Sequence, residues 1–100
     1  MSETVEFIEV VAGLYFRSVL LPVAGLRVAQ HMHDHDHATL VCSGAARLLI
    51  DGEPAGEFPA GHAVEVKAGI HHAFESLEAN TRLTCVHDAA SADSIKTKGI

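Results

Sequence analysis

Short apolar runs, many of them alternating with polar residues, recur along the chain, and turn chemistry separates them. Helical period is nearly absent. Thr4–Val11 alternates loosely, and Leu14–Leu21 follows Gly13 and stops at Pro22. Leu26–His33 is a third run, Ala38–Cys42 a fourth closed by Ser43-Gly44, and Ala45–Ile50 a fifth closed by Asp51-Gly52. Asp-Gly at that point is a hairpin signal, because a type I′ turn needs positive φ at both central residues. Pro59-Ala60-Gly61 makes another turn, with a strand at Ala63–Val66 after it. Ala73–Leu77 and Arg82–His87 complete the set, and a small, polar tail follows from Asp88 to Ile100. Short strands with turns between them predict an all-β barrel or sandwich. Side-chain parity groups residues by face: Ala46, Leu48 and Ile50 on one, Arg47 and Leu49 on the other; His72 with Phe74; Leu83 with Cys85 and His87.

Composition narrows the class. At 48% apolar and 20% charged, 100 residues make one folded domain over 1–100 with a single core. The net charge of −6, without a basic patch, argues against nucleic acid as a partner. Val10–Leu26 is broken by Gly13, Arg17, Pro22 and Gly25, so no membrane span is expected. Met1–Glu9 carries three glutamates and no basic residue, unlike an export signal. The expectation is a cytoplasmic protein with Cys42 and Cys85 as reduced thiols.

The chemistry is concentrated in His31-Met32-His33-Asp34-His35-Asp36-His37, which holds four of the chain's eight histidines. On a strand His31 and His33 point the same way, close enough to grip one ion. A bend at Asp34–Asp36 would let His37 open the next strand beside them. The remaining donors would come from a distant segment, with Gly69-Ile70-His71-His72 the best candidate. A surface tract that scavenges metal nonspecifically is the rival reading. Zinc-finger spacing fails, since neither cysteine belongs to a CxxC pair.

Two spacings carry a resemblance. Gly25, five residues, His31-Met32-His33, three residues, His37, six residues, Gly44 is the first. Gly61, five residues, Lys67-Ala68-Gly69, two residues, His72, three residues, Ser76 is the second. Together they resemble the two motifs of the cupin superfamily, in order and with an Asp-Gly hairpin between. The resemblance covers 25–44 and 61–76. Three positions depart from it: His37 stands for the motif's glutamate, Lys67 for its proline and Ser76 for its asparagine. Lys67 is expected only to loosen a turn, and Ser76 to be structural.

The resemblance implies a double-stranded β-helix, a small jelly-roll-like barrel of two antiparallel sheets. It implies one divalent transition metal per chain (Fe, Mn, Zn, Ni or Cu) on His31, His33, His37 and His72. His35 then falls in the loop and His71 points away, while Ala46, Leu48 and Ile50 face inward and Arg47 and Leu49 outward. Phe74, Cys85 and His87 become candidates for the pocket wall or for orienting a ligand; Asp34, Asp36 and His62 read as surface residues. The expected substrate is a small organic molecule, a dicarbonyl or phenolic compound for a metal-dependent dioxygenase-type oxidoreductase. An oxygen-independent metal-assisted isomerase or lyase, or a non-catalytic binding module, are the alternatives. Cupins commonly pair, so a homodimer is expected, aided by outward apolar residues such as Leu49.

Overall fold

A computed structural model describes residues 3–28 and 36–89. Eight strands run through them: β1 (Thr4–Val11), β2 (Leu14–Leu21), β3 (His37–Ser43), β4 (Ala45–Ile50), β5 (Glu53–Pro59), β6 (His62–Val66), β7 (His72–Ser76) and β8 (Thr81–Asp88). They form two sheets, ordered β1-β2-β8-β3-β6 and β5-β4-β7, with every named pairing antiparallel. The two-sheet, all-β expectation is met.

The sheets face each other across one apolar core. Val19, Leu21, Val41, Val64, Val66 and Leu83 come from the larger sheet, and Ala46, Leu48 and Phe74 from the smaller. Ala46 and Leu48 face this core and Ile50 packs against it half-buried, as expected. The outward parity of Leu49 does not leave it exposed: it is buried to 3% on the far side of the same strand, so it is no exposed contact for a second chain. The apolar residues in solvent lie elsewhere. Val5, Phe7, Val10 and Val11 are 40–55% exposed on β1, the edge of the larger sheet.

Two expected strands differ. The run beginning at Leu26 is not a named strand in its described part. Leu26–Val28 instead lies along β7: Gly25 and Val28 donate to the carbonyls of Ser76 and Phe74, and Ser76 donates back to Leu26, each at 2.8 Å. Residues 29–33 of that run lie outside the described residues. Conversely, Glu53–Pro59 is a full strand that hydrophobic alternation does not announce. It carries Pro54, Gly56 and Pro59, is mostly exposed, and among the described residues pairs only with β4. An edge position is where a strand tolerates proline, because one row of its N–H groups needs no ladder partner.

Turn chemistry fixes the corners. Asp51 and Gly52 have φ of 51° and 81°, as the type I′ hairpin requires. Gly44 alone connects β3 in one sheet to β4 in the other. Its φ is +71°, and a Cβ there would lie 2.9 Å from the Thr81 Cα. The glycine closing the first motif is thus where the chain changes sheets against a backbone already in place.

Candidate metal centre

His37 opens β3 and His72 opens β7, so the two sheets each deliver one imidazole to the same end of the barrel. Both are buried, at 5% and 1% exposure. Their ring centroids are 4.9 Å apart with the planes tilted by 40°. Two imidazoles bound side by side to one ion, each with a metal–nitrogen distance of about 2.1 Å, place their centroids about 4.5–5 Å apart. The observed spacing meets that condition. His72 Nδ1 lies 3.1 Å from the Ile70 carbonyl. A carbonyl only accepts, so Nδ1 carries the proton and the lone pair resides on Nε2, the usual device for orienting a metal-binding histidine. The pair therefore fits a metal ion of the kind the resemblance implies.

His31, His33 and His35 lie outside the described residues, as does Asp34. Among the described residues no cluster of three or more histidine, cysteine or carboxylate donors forms. The structure thus brings together His37 and His72 from the expected set. His71 is exposed, and so is His62, whose Nδ1 donates to the Pro59 carbonyl at 3.1 Å.

Several contacts hold the two motifs against each other. The Asp36 carboxylate, just ahead of His37, accepts the Ala68 N–H at 2.8 Å and faces the Lys67 ammonium at 3.7 Å. That backbone hydrogen bond holds the Asp36 carboxyl below its ordinary range, with Lys67 assisting. Asp36 is therefore a fastener between the motifs rather than a merely solvated loop residue. Lys67 also does more than loosen a turn, since it pairs with both Asp36 and Glu65. Ser76 is 1% exposed, donates to the Val23 carbonyl at 2.7 Å, and accepts the Leu26 N–H at 3.0 Å. It ties the segment that leads toward His31 onto β7, a structural role as expected.

The pocket candidates divide by position. Phe74 lies edge-on to His72, with centroids 6.3 Å apart, and joins the core. His87 is 8% exposed, donates from Nδ1 to the Asp88 carbonyl at 2.9 Å, and stacks on Tyr15 with centroids 4.6 Å apart. Cys85, one inward position along β8, contacts the Thr39 hydroxyl at 3.6 Å. Burial pushes its thiol up from the ordinary value, against the pull of that hydrogen bond.

The register lays these residues out in rows. Tyr15 on β2 stands opposite His87 on β8, and the neighbouring pair Ala38–Val86 brings His37 to the same end. The next inward row is Arg17, Cys85 and Thr39, and the one after it Val19, Leu83 and Val41. Tyr15 and Arg17 were not singled out from the sequence. Their parity with Val19 was the available signal, because a core residue on β2 fixes which way its alternate neighbours point.

Comparison with known proteins agrees with this architecture. No family model matches the sequence, and no curated protein matches it. Solved structures do. An RmlC-like cupin family protein of double-stranded β-helix fold from Methanocaldococcus jannaschii superposes with a TM-score of 0.75 at 16% identity, covering 93% of this chain and 85% of that one. KdgF from a Halomonas species gives 0.66 at 20% identity, over 84% and 74% of the two chains. A cupin-2 domain-containing protein from Shewanella frigidimarina gives 0.66 at 16% identity, over 85% and 82%. Two facing antiparallel sheets, the motif glycines at their corners and these neighbours define the class: the chain has the cupin fold.

Proposed function

We propose that this chain is a metal-dependent cupin in which His31, His33, His37 and His72 hold one divalent transition ion that serves a dioxygenase-type reaction on a small dicarbonyl or phenolic substrate. The observation that carries the reading is the buried His37–His72 pair, spaced for one ion, with His72 set in the tautomer a ligand needs. Four neutral imidazoles leave a divalent ion its full charge, so it supplies Lewis acidity and, if iron or copper, redox chemistry. The chain's own contribution is orientation and exclusion of water. The Ile70 carbonyl aims His72, while Phe74, Val66 and Leu48 wall the interior.

Reconstitution with Fe(II) and measurement of oxygen uptake against a panel of diketones and catechols tests the reading. Substrate-dependent uptake supports it. Turnover under nitrogen transfers the site to isomerase or lyase chemistry, and metal binding without any turnover leaves a binding module. The same proposal includes a homodimer, with a second copy seated along β1. Among the described residues β1 pairs only with β2, and it presents Val5, Phe7, Val10 and Val11 to solvent. Glu6 on that strand is already ion-paired with Arg82 at 2.9 Å, which limits the charge that pairing would bring together.

A further inference from the structure

Arg17 is an unusual residue for the inner face of a small barrel. It shares parity with Tyr15 and Val19, both 2% exposed, and stands opposite Cys85 in the β2–β8 register. Its side chain is 17% exposed and has one ion pair among the described residues, Nη2 to the Glu3 carboxylate at 3.4 Å. That contact is long for a charge-assisted hydrogen bond, which normally closes to about 2.7–2.9 Å. Arg17 Nε is buried and meets no acceptor among the described residues. A guanidinium has five donors and no acceptor, and a buried donor without a partner costs stability unless something supplies one. Nothing in the metal-site reading uses this group.

Its surroundings indicate what would satisfy it. Tyr15 is buried one row nearer the barrel end, on the same face of the same strand, and stacked on His87. The Arg17 charge acts on both the Tyr15 phenol and the Cys85 thiol, each of which burial alone would push higher. A fixed cation, a phenol and an imidazole thus cluster at the barrel end that also carries His37. β2 and β3 are separated by β8 alone, so the cluster lies two strand spacings, about 10 Å, from His37.

We propose that Arg17, with Tyr15 beside it, is the binding site for a carboxylate group of the substrate. The substrate class is then a small organic acid whose carboxylate lies several bonds from the group that would meet the metal. This rests on the metal-site reading only for that second end; the carboxylate site stands on Arg17 itself. Glu3 is the resident competitor, holding the guanidinium until a ligand carboxylate takes the Nε donor.

Glutarate, with its neutral diamide as control, is the probe. Binding to the full-length protein is measured by calorimetry and by the ¹⁵N resonance of Arg17 Nε, both as purified and after treatment with a chelator. Glutarate, and not the diamide, should bind and shift the Arg17 resonance in both preparations. Arg17→Gln should weaken binding about ten-fold or more, as loss of a charge-assisted hydrogen bond does, with metal content unchanged. Glu3→Gln, which retains the arginine, should tighten binding. If chelation alone abolishes binding and Arg17→Gln has no effect, the carboxylate was sitting on the metal and the Arg17 site is refuted. Failure of glutarate to bind both the parent and Glu3→Gln also refutes it. Absence of metal with glutarate still bound at Arg17 would instead overturn the proposed function and leave this site standing.

Discussion

Gly44→Ala should be among the most damaging single-methyl changes in the barrel. Two costs coincide there. At φ +71° an L-residue occupies the left-handed region, which costs about 1–2 kcal/mol. The added Cβ would also run into the Thr81 hydroxyl and sit 2.9 Å from the Thr81 Cα, so backbone as well as side chain has to yield. Thr81 has little freedom to move. It is fully buried, and its hydroxyl donates to the Glu78 carbonyl at 2.9 Å and accepts the Ala45 N–H at 3.3 Å. Overpacking of this kind costs about 1–3 kcal/mol, giving roughly 3 kcal/mol in all. In a domain of this size each kcal/mol moves Tm by about 4–8 °C, so the midpoint should fall by about 12–24 °C. Gly52→Ala is the internal control. Its φ is +81°, but nothing lies within 4 Å of the added Cβ, so it should cost only the conformational term, about 1–2 kcal/mol. Urea unfolding of both variants separates the two terms. Equal destabilisation of Gly44→Ala and Gly52→Ala would refute the argument that the sheet-crossing corner is closed by contact with Thr81.

Ser76→Ala should destabilise by about 1–3 kcal/mol, because the Leu26 N–H and Val23 carbonyl lose a buried partner; chemical denaturation reads the loss. Asp36 has a folded pKa below its ordinary value, so its contribution is present above about pH 4 and is lost as pH falls through the depressed folded value; Asp36→Asn should flatten that acid limb in a stability–pH series. Cys42 is exposed whereas burial raises the Cys85 thiol, so iodoacetamide at pH 8 should alkylate Cys42 first and reach Cys85 mainly on unfolding; equal rates in the folded protein would contradict the burial. Light scattering should find the parent dimeric and Phe7→Lys monomeric, since Phe7 is 47% exposed on the proposed edge; a monomeric parent would refute that edge pairing.

The sequence exposed much of this fold because alternation and turn chemistry agreed. β1, β2 and β4 coincide with their apolar runs, and Asp51-Gly52 does what its residue types require. β5 was hidden because a proline-bearing edge strand has little apolar alternation to display. Leu49 shows the limit of parity. Period two states which face a side chain takes, but not whether that face is covered. His37 and His72 were named as candidate ligands by the two-motif resemblance, and their pairing became visible only once each was seen to open a strand of a different sheet. Arg17 was missed because a charged residue inside an apolar run reads as a surface residue until the neighbouring strand shows which side is inward.

Whether histidines from both motifs hold one ion is decided by metal analysis of the protein purified without a histidine tag, alongside His72→Ala and His37→Ala. The parent should hold about one transition metal per chain, with severe loss in His72→Ala and depletion in His37→Ala. Full occupancy in His72→Ala would contradict it, because the metal would then belong to the local His31–His37 tract and not to a site built by the two sheets.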